Sequence, residues 1–231
     1  MNGFGGLALA TAAFVGSHLA LSHPFRVRLV GALGETAFVL LYSLVAAFTL
    51  GWMILAWRAT ESGVPLWIAP GWAWPAASAV TLLASILLAA SLIRNPAFPN
   101  PGAQFRAPRE AKGVFALTRH PMNWAFMLWA LAHLALWGSP RNLIAAGGIL
   151  ILAFVGSIGQ DRKKRALLGP SWLEWESRTS FVPFAALISG RAKWRNAALD
   201  WRAVAAGFLF WLLITWYHAP TASPVALLLE G

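Results

Sequence analysis

The residues with the clearest chemical potential lie between Thr118 and His133, where a cation and an imidazole precede an apolar helix that contains a second imidazole. Arg119 and His120 stand directly before Pro121, which suits the first turn of a helix. His133 lies deep in the apolar run, where an unpartnered polar side chain is costly. A neutral imidazole can ligate a transition metal or haem iron, so His133 is a candidate ligand.

The helix that contains His133 has an aromatic face. Side chains spaced by three and four residues lie on one side of a helix, and here they are Met122, Phe126, Trp129, His133 and Trp137. Such a face can clamp a flat apolar ligand with the imidazole at its centre. The alternative is that the aromatics only pack and His133 bonds to a neighbouring serine or carbonyl.

His18 is the second histidine inside an apolar run, whereas His23 and His218 are expected at surfaces. A helical rise of about 1.5 Å per residue places His133 about 18 Å from Pro121 and His18 about 6 Å from Ser22. Two axial ligands of one iron lie nearly opposite each other. By depth alone, a pair of His18 with His120 fits better than a pair of His18 with His133.

The composition indicates that these residues belong to a membrane protein. Of 231 residues, 58% are hydrophobic and 11% are charged, which is unlike a soluble domain. The sequence predicts an all-α fold, a polytopic membrane helix bundle of about six transmembrane helices. The predicted spans are Leu7–Leu21, Ala37–Trp57, Trp72–Ile93, Met122–Trp137, Leu143–Ile158 and Ala203–Tyr217. The absence of cysteine excludes disulfides and thiolate ligands.

The basic residues predict the orientation, because Lys and Arg resist translocation. With the N-terminus outside, the cytoplasmic loops are 22–36, 94–121 and 159–202, and only Arg58 and Arg141 lie on the other side. The net charge of +10 then reflects topology and attraction to anionic membrane lipid. Nucleic acid is not an expected partner, because the cations flank the spans and form no soluble basic domain.

Several motifs resemble the NnrU family over roughly residues 5–190. They are Gly16–Ala20, Arg26–Gly34, Leu41–Ser43, Thr118–Pro121, Ala132–Leu134, Asp161–Arg162 and Thr179–Phe184. Residues 191–231 are expected to add a cytoplasmic basic segment and one further transmembrane helix. The resemblance implies a bacterial inner-membrane protein that is related to plant 15-cis-zeta-carotene isomerase, a haem b protein with two axial histidines.

By motif, the resemblance implies that His18 and His133 are the iron ligands, the pair that the depth estimate disfavours. Arg26, Arg28 or Arg119 would then pair with the haem propionates. The implied function is redox-regulated cis–trans isomerisation of an apolar polyene, or a role in nitric oxide or nitrite metabolism. The oligomeric state is not specified.

Two alternatives remain. The Arg119-His120-Pro121 motif and a later segment resemble membrane methyltransferases of lipid-like substrates, in which Arg119 and His120 would contact S-adenosylmethionine. The later segment comprises Gly169, Trp172, Trp175, Pro183 and Phe184. It departs from that pattern in having Gln160-Asp161 for an acidic pair and tryptophans for tyrosines. The third hypothesis is a non-enzymatic membrane assembly factor with merely packed histidines.

Overall fold

The computed structural model describes residues 3–93, 95–96 and 107–218, and within these ranges the chain is helical, without a strand. This confirms the predicted all-α fold. The helices are α1 (Gly3–Ser22), α2 (Arg26–Leu33), α3 (Glu35–Ala59), α4 (Ala73–Ser91), α5 (Val114–Leu117), α6 (Pro121–Leu136), α7 (Pro140–Leu168), α8 (Pro170–Arg178), α9 (Ala185–Ile188) and α10 (Trp201–His218). A single 3-10 turn spans Trp194–Asn196. Arg94, Arg106 and residues 97–102 of the predicted cytoplasmic loop lie outside the described residues.

Each of the six predicted spans forms one long helix. Within the described ranges, four of them are long and apolar enough to cross a membrane, namely α1, α3, α4 and α7. The chain is therefore a multi-pass membrane protein. The other two, α6 and α10, have 16 and 18 residues, and their crossing of the bilayer stays a prediction, as does the external N-terminus.

The long helices pack as a row in the order α3, α1, α7, α6, α4 and α10. One apolar core lies where α1, α3 and α7 meet, around Leu7, Phe14 and Met53. A second core lies among α4, α6 and α8, around Leu87, Ala125 and Trp175. Because α7 lies between α1 and α6, it positions both histidine-bearing helices.

Small residues allow the closest helix approaches. A Cβ atom at Gly148 of α7 would lie 2.3 Å from Cγ2 of Thr11 on α1, and one at Gly207 of α10 would lie 2.5 Å from Cα of Ile86 on α4. The close approach of α1 to α7 is therefore possible because residue 148 is a glycine. At Gly147 and Gly156 a Cβ atom would meet nothing within 4 Å.

The bundle has two distinct ends. At the first, here called the basic end, α1 finishes and α6 begins, and α7 continues beyond the predicted Ile158 to Leu168. The sequence predicts a loop there because the residues are charged, but α7 continues as a helix, and its Asp161 pairs with Arg119 (2.7 Å) in the segment before α6. At the opposite end, Arg141 donates to the carbonyl of Thr60 (3.0 Å).

Candidate functional site

The first candidate site is a buried cluster at the basic end, built where two extended segments meet. Phe184 N donates to Leu117 O (2.8 Å) and Arg119 N donates to Ser180 O (2.7 Å), which holds the segment before α6 beside the segment after α8. Pro121 is the first residue of α6 and His120 its N-cap, as the sequence predicts. Arg119 and His120 are thereby fixed against α7.

Arg119 is the centre of this cluster. Its Nε and NH2 groups donate to the two carboxylate oxygens of Asp161 at 3.0 and 2.7 Å, and its NH1 group donates to Thr179 Oγ1 at 3.2 Å. Glu176 lies 3.8 Å from NH2. Such a two-point pair between a guanidinium and a carboxylate has a fixed geometry. Because Arg119 is only 8% exposed, these internal bonds engage most of its donors.

His120 shares the same carboxylate. Its Nε2 lies 3.0 Å from Asp161 Oδ1 and its Nδ1 lies 3.2 Å from Gln160 Oε1, and the residue is 3% exposed. Both ring nitrogens thus face oxygen atoms of α7. The cluster is saturated with internal hydrogen bonds, so its chemistry suits the positioning of three chain segments rather than proton transfer to a substrate.

The sequence identified part of this cluster and missed the rest. The sequence predicts Arg119 and His120 as cofactor contacts, and it marks Asp161 as part of a family motif and as a departure from an acidic pair, but not as their partner. Thr179 and Glu176 received no role. The available signal was Asp161 itself, because a carboxylate at the end of an apolar helix requires a nearby partner.

The residues predicted to contact S-adenosylmethionine do converge at the basic end. Trp172 and Trp175 of α8, however, are 0% and 2% exposed and fill the space beside the cluster. Trp172 Nε1 donates to Glu176 Oε1 (3.2 Å). The space next to these residues is therefore occupied by protein side chains.

The second candidate site is the aromatic face of α6. Phe126, Trp129 and Trp137 are 40%, 36% and 38% exposed, so within the described residues this face is open. His133 Nδ1 lies 2.8 Å from Trp129 O, which is the bond to a neighbouring carbonyl that the sequence offered as the alternative. Since Nδ1 must donate to that carbonyl, Nε2 of the neutral ring keeps its lone pair. The ring of His218 lies 6.0 Å away.

His18 lies in a different environment. Its Nδ1 faces Phe14 O at 3.0 Å, and its ring contacts those of Phe14 (4.4 Å) and Tyr42 (5.4 Å). The same argument leaves its Nε2 with a lone pair. His18 is thus directed towards α3, whereas His133 is directed towards α10.

Each of the two imidazoles has the hydrogen bonding expected of a haem ligand, but the two rings do not face a common site. An Nδ1 that donates to a backbone carbonyl is the usual arrangement of a ligating histidine. However, α1 and α6 lie on either side of α7, and the rings of His18 and His133 contact α3 and α10. As arranged here, the structure does not bring them to one iron. The ligand pair stays a prediction.

The predicted propionate partners other than Arg119 lie on α2 at the basic end. Arg26 NH2 donates to Glu35 Oε1 (3.1 Å) and its guanidinium lies 5.4 Å from the Phe38 ring. Arg28 is exposed. These two cations lie beside α1, whereas Arg119 lies on the far side of α7, so the structure does not gather all three around one site.

The chain is similar in sequence to known proteins. The chain is similar to 15-cis-zeta-carotene isomerase, chloroplastic, of Zea mays, with 33% identity over 81 residues, and to its namesake of Arabidopsis thaliana, with 32% identity over 79 residues. These segments cover 35% and 34% of this chain but only 22% of each plant protein. No solved structure shows significant similarity to it.

The family assignment rests on a longer match. The model of the NnrU protein family matches residues 6–224 and thus includes α10, which the sequence analysis placed beyond the resemblance. The predicted boundary at residue 190 is not tested by this. Because the match spans nearly the whole chain, the protein belongs to the NnrU family.

Proposed function

We propose that this protein is a membrane-embedded isomerase that changes the configuration of a double bond in an apolar polyene. The observation that carries the proposal is the open aromatic face of α6, in a chain that is similar to two carotene isomerases. A polyene is flat, elongated and insoluble in water, so it reaches such a protein through the bilayer. A face directed towards lipid is accessible to it.

The dimensions of the face suit such a substrate. From Phe126 to His133 the helix advances about 10 Å, and Trp129 lies between them with its ring 4.3 Å from that of His133. Trp137 follows the end of α6 in extended backbone. Aromatic rings bind apolar π-systems by stacking and edge contacts. Nε2 of His133 is a polar atom along this face that keeps a lone pair for interaction with a bound group.

The buried cluster at the basic end supports this face indirectly. Arg119, His120 and Asp161 fix the first turn of α6 against α7. Asn123 Nδ2 adds a bond to Ser157 Oγ at 2.8 Å one turn further. These bonds set the rotation of α6 about its axis, and therefore the direction in which its aromatic face points.

Haem b is the proposed cofactor, on the basis of the family resemblance. When bound, it would supply a redox-active iron centre that could interact with a double bond if one of its two histidines were released. His133 and His18 are the proposed ligands, and their donor chemistry supports this, whereas their present separation does not. Location in a bacterial inner membrane and a link to nitric oxide or nitrite metabolism are further proposals from the same resemblance.

The proposal is tested by isomerisation in proteoliposomes. The purified protein is reconstituted with 15-cis-zeta-carotene in the dark, because light isomerises polyenes, with haem and reductant supplied, and the isomers are separated by chromatography. The wild type is expected to convert the 15-cis isomer, and Trp129→Ala to convert it about tenfold more slowly because about 1.4 kcal/mol of aromatic contact is lost. Trp194→Ala is the matched control, since Trp194 is 61% exposed and lies at the basic end.

Two outcomes contradict the proposal. One is conversion by the wild type that does not exceed the rate in protein-free vesicles. The other is an equal loss of rate in the Trp129 and Trp194 variants, which would separate activity from the α6 face. The assembly-factor hypothesis survives the first outcome, because it requires no turnover.

A further inference from the structure

A groove on the other side of α7 lies apart from the aromatic face of α6, and Arg26 is the residue of its lining that is also a predicted haem contact. It has a volume of about 870 Å³ and lies between α7 and the region where α1 passes into α2. Its apolar part is formed by Gly16, Leu19 and Ala20 of α1 together with Val155 and Ile158 of α7. At Gly16 a Cβ atom would meet nothing within 4 Å, so open space lies directly against the backbone of α1.

The groove becomes cationic towards the basic end. There its lining combines Arg26, Arg162 and Lys163 with His23 and four apolar residues, and it includes no acidic residue. Arg26 is paired with Glu35 (3.1 Å). Arg162 and Lys163 make no ion pair or hydrogen bond to any side chain that the structure describes, although Lys163 is half-buried. The groove therefore has two cations without internal counter-charges.

His23 lines the groove with a polar but uncharged side chain. Its ring lies against the backbone of Gly159, where a Cβ atom would be 2.3 Å from Nε2. Burial lowers the pKa of His23, and the positive charge of Lys163 lowers it further. The imidazole is consequently neutral at pH 7, and the cationic character of this end comes from Arg162, Lys163 and Arg26.

We infer that this groove binds an anionic phospholipid. The phosphate is held by Arg162 and Lys163 beside Arg26, and one acyl chain lies along Gly16, Leu19 and Ala20 against α7. This inference does not depend on the proposed isomerisation, since it concerns the opposite face of α7.

Charge complementarity selects this occupant. An apolar polyene would leave Arg162 and Lys163 without counter-charges, and a soluble anion would leave the apolar half of the groove uncovered. A lipid with a phosphate and an acyl chain satisfies both parts together. Basic side chains at the membrane surface attract anionic lipid, and the groove adds a shaped apolar site beside them.

Native mass spectrometry of the whole protein in a non-ionic detergent tests the inference. Phosphatidylglycerol and phosphatidylcholine with identical acyl chains are added in equal amounts, and the bound lipid is titrated. Phosphatidylglycerol is expected to bind preferentially to the wild type. Arg162→Gln/Lys163→Gln should weaken its binding roughly twenty-fivefold, since each cation contributes about fivefold.

Two further variants separate a groove from a charged surface. Arg28→Gln/Arg195→Gln removes the same number of charges from exposed positions outside the groove, and it should retain phosphatidylglycerol. Gly16→Leu keeps every charge but fills the acyl path, and it should lose the lipid. If the Arg162/Lys163 double variant does not fold, Arg162→Gln alone, at an exposed side chain, should show the fivefold loss.

The inference is overturned by any of three results. The first is equal binding of both lipids by the wild type. The second is unchanged lipid binding by Gly16→Leu, which would show attraction to the surface only. The third is competition by inorganic phosphate at the lipid's concentration, which would show an anion site without a role for the acyl chain.

Discussion

Arg119 shows how a single buried cation organises the basic end. Its guanidinium joins α7 through Asp161 and the segment after α8 through Thr179, while its backbone N–H bonds Ser180. Removing one partner of a buried pair is costly because the other charge stays in the interior without compensation. The residue therefore contributes to stability whether or not it contacts a ligand.

Substitution of Arg119 by Met should lower the free energy of unfolding by about 3–5 kcal/mol, because the buried Asp161 carboxylate would lose its two-point guanidinium partner and keep only His120. Adding Asp161→Asn should recover part of the loss. Thermal unfolding in detergent, followed by tryptophan fluorescence, measures both effects. Arg28→Met serves as the control, since Arg28 is exposed. A stable Arg119→Met protein without isomerase activity would instead show that Arg119 contacts the ligand.

The histidines give a second prediction at this scale. Protein purified from haem-replete cells should show a Soret absorption band that His133→Ala and His18→Ala each remove, because loss of an axial ligand releases or reorganises the haem. His218→Ala is the matched control, as its ring lies 6.0 Å from that of His133. A colourless wild type, or a band that is sensitive to His218 but not to His18, would contradict the ligand pair.

Among the glycines that the structure describes, Gly207 of α10 makes the closest approach to the backbone of another helix, α4. A Cβ atom at Gly207 would lie 2.5 Å from Ile86 Cα and 2.9 Å from Ser85 O. Backbone atoms cannot turn away as a flexible side chain can. The position of α10 beside α4 therefore depends on the missing side chain of Gly207.

Gly207→Ala should force α10 away from α4 and lower the free energy of unfolding by about 1–3 kcal/mol, the usual cost of overpacking. Gly147→Ala is the matched control, because it lies in α7 with nothing within 4 Å of the new methyl group. Its stability should stay level or rise by up to about 1 kcal/mol from helix propensity. Comparing the unfolding midpoints of the two variants in one detergent checks this, and equal midpoints would refute it.

For the whole molecule, hydropathy predicts where the long helices lie in the sequence. It does not predict which side chains their polar residues contact. The apolar runs around His18 and His133 form helices α1 and α6, as their length and composition predict. Which rings the histidines meet depends on the order of helices in the row, and Tyr42 and His218 are distant in sequence from the residues they contact. The sequence likewise does not predict the partner of Asp161, because Arg119 lies 42 positions earlier in the chain.

The orientation of the bundle is a prediction for the whole molecule, and the chain is well suited to testing it because it contains no cysteine. Arg58 and Arg141 lie at the end opposite to the basic end, where Arg141 meets Thr60 and the Trp57 ring. Since Lys and Arg are retained in the cytoplasm, the basic end should be internal. In intact cells, Glu61→Cys should react with a membrane-impermeant maleimide, and Arg195→Cys should react only after the cells are opened. Ala146→Cys, which is 1% exposed, should stay unlabelled in both conditions, and the reverse pattern for the first two would place the N-terminus inside.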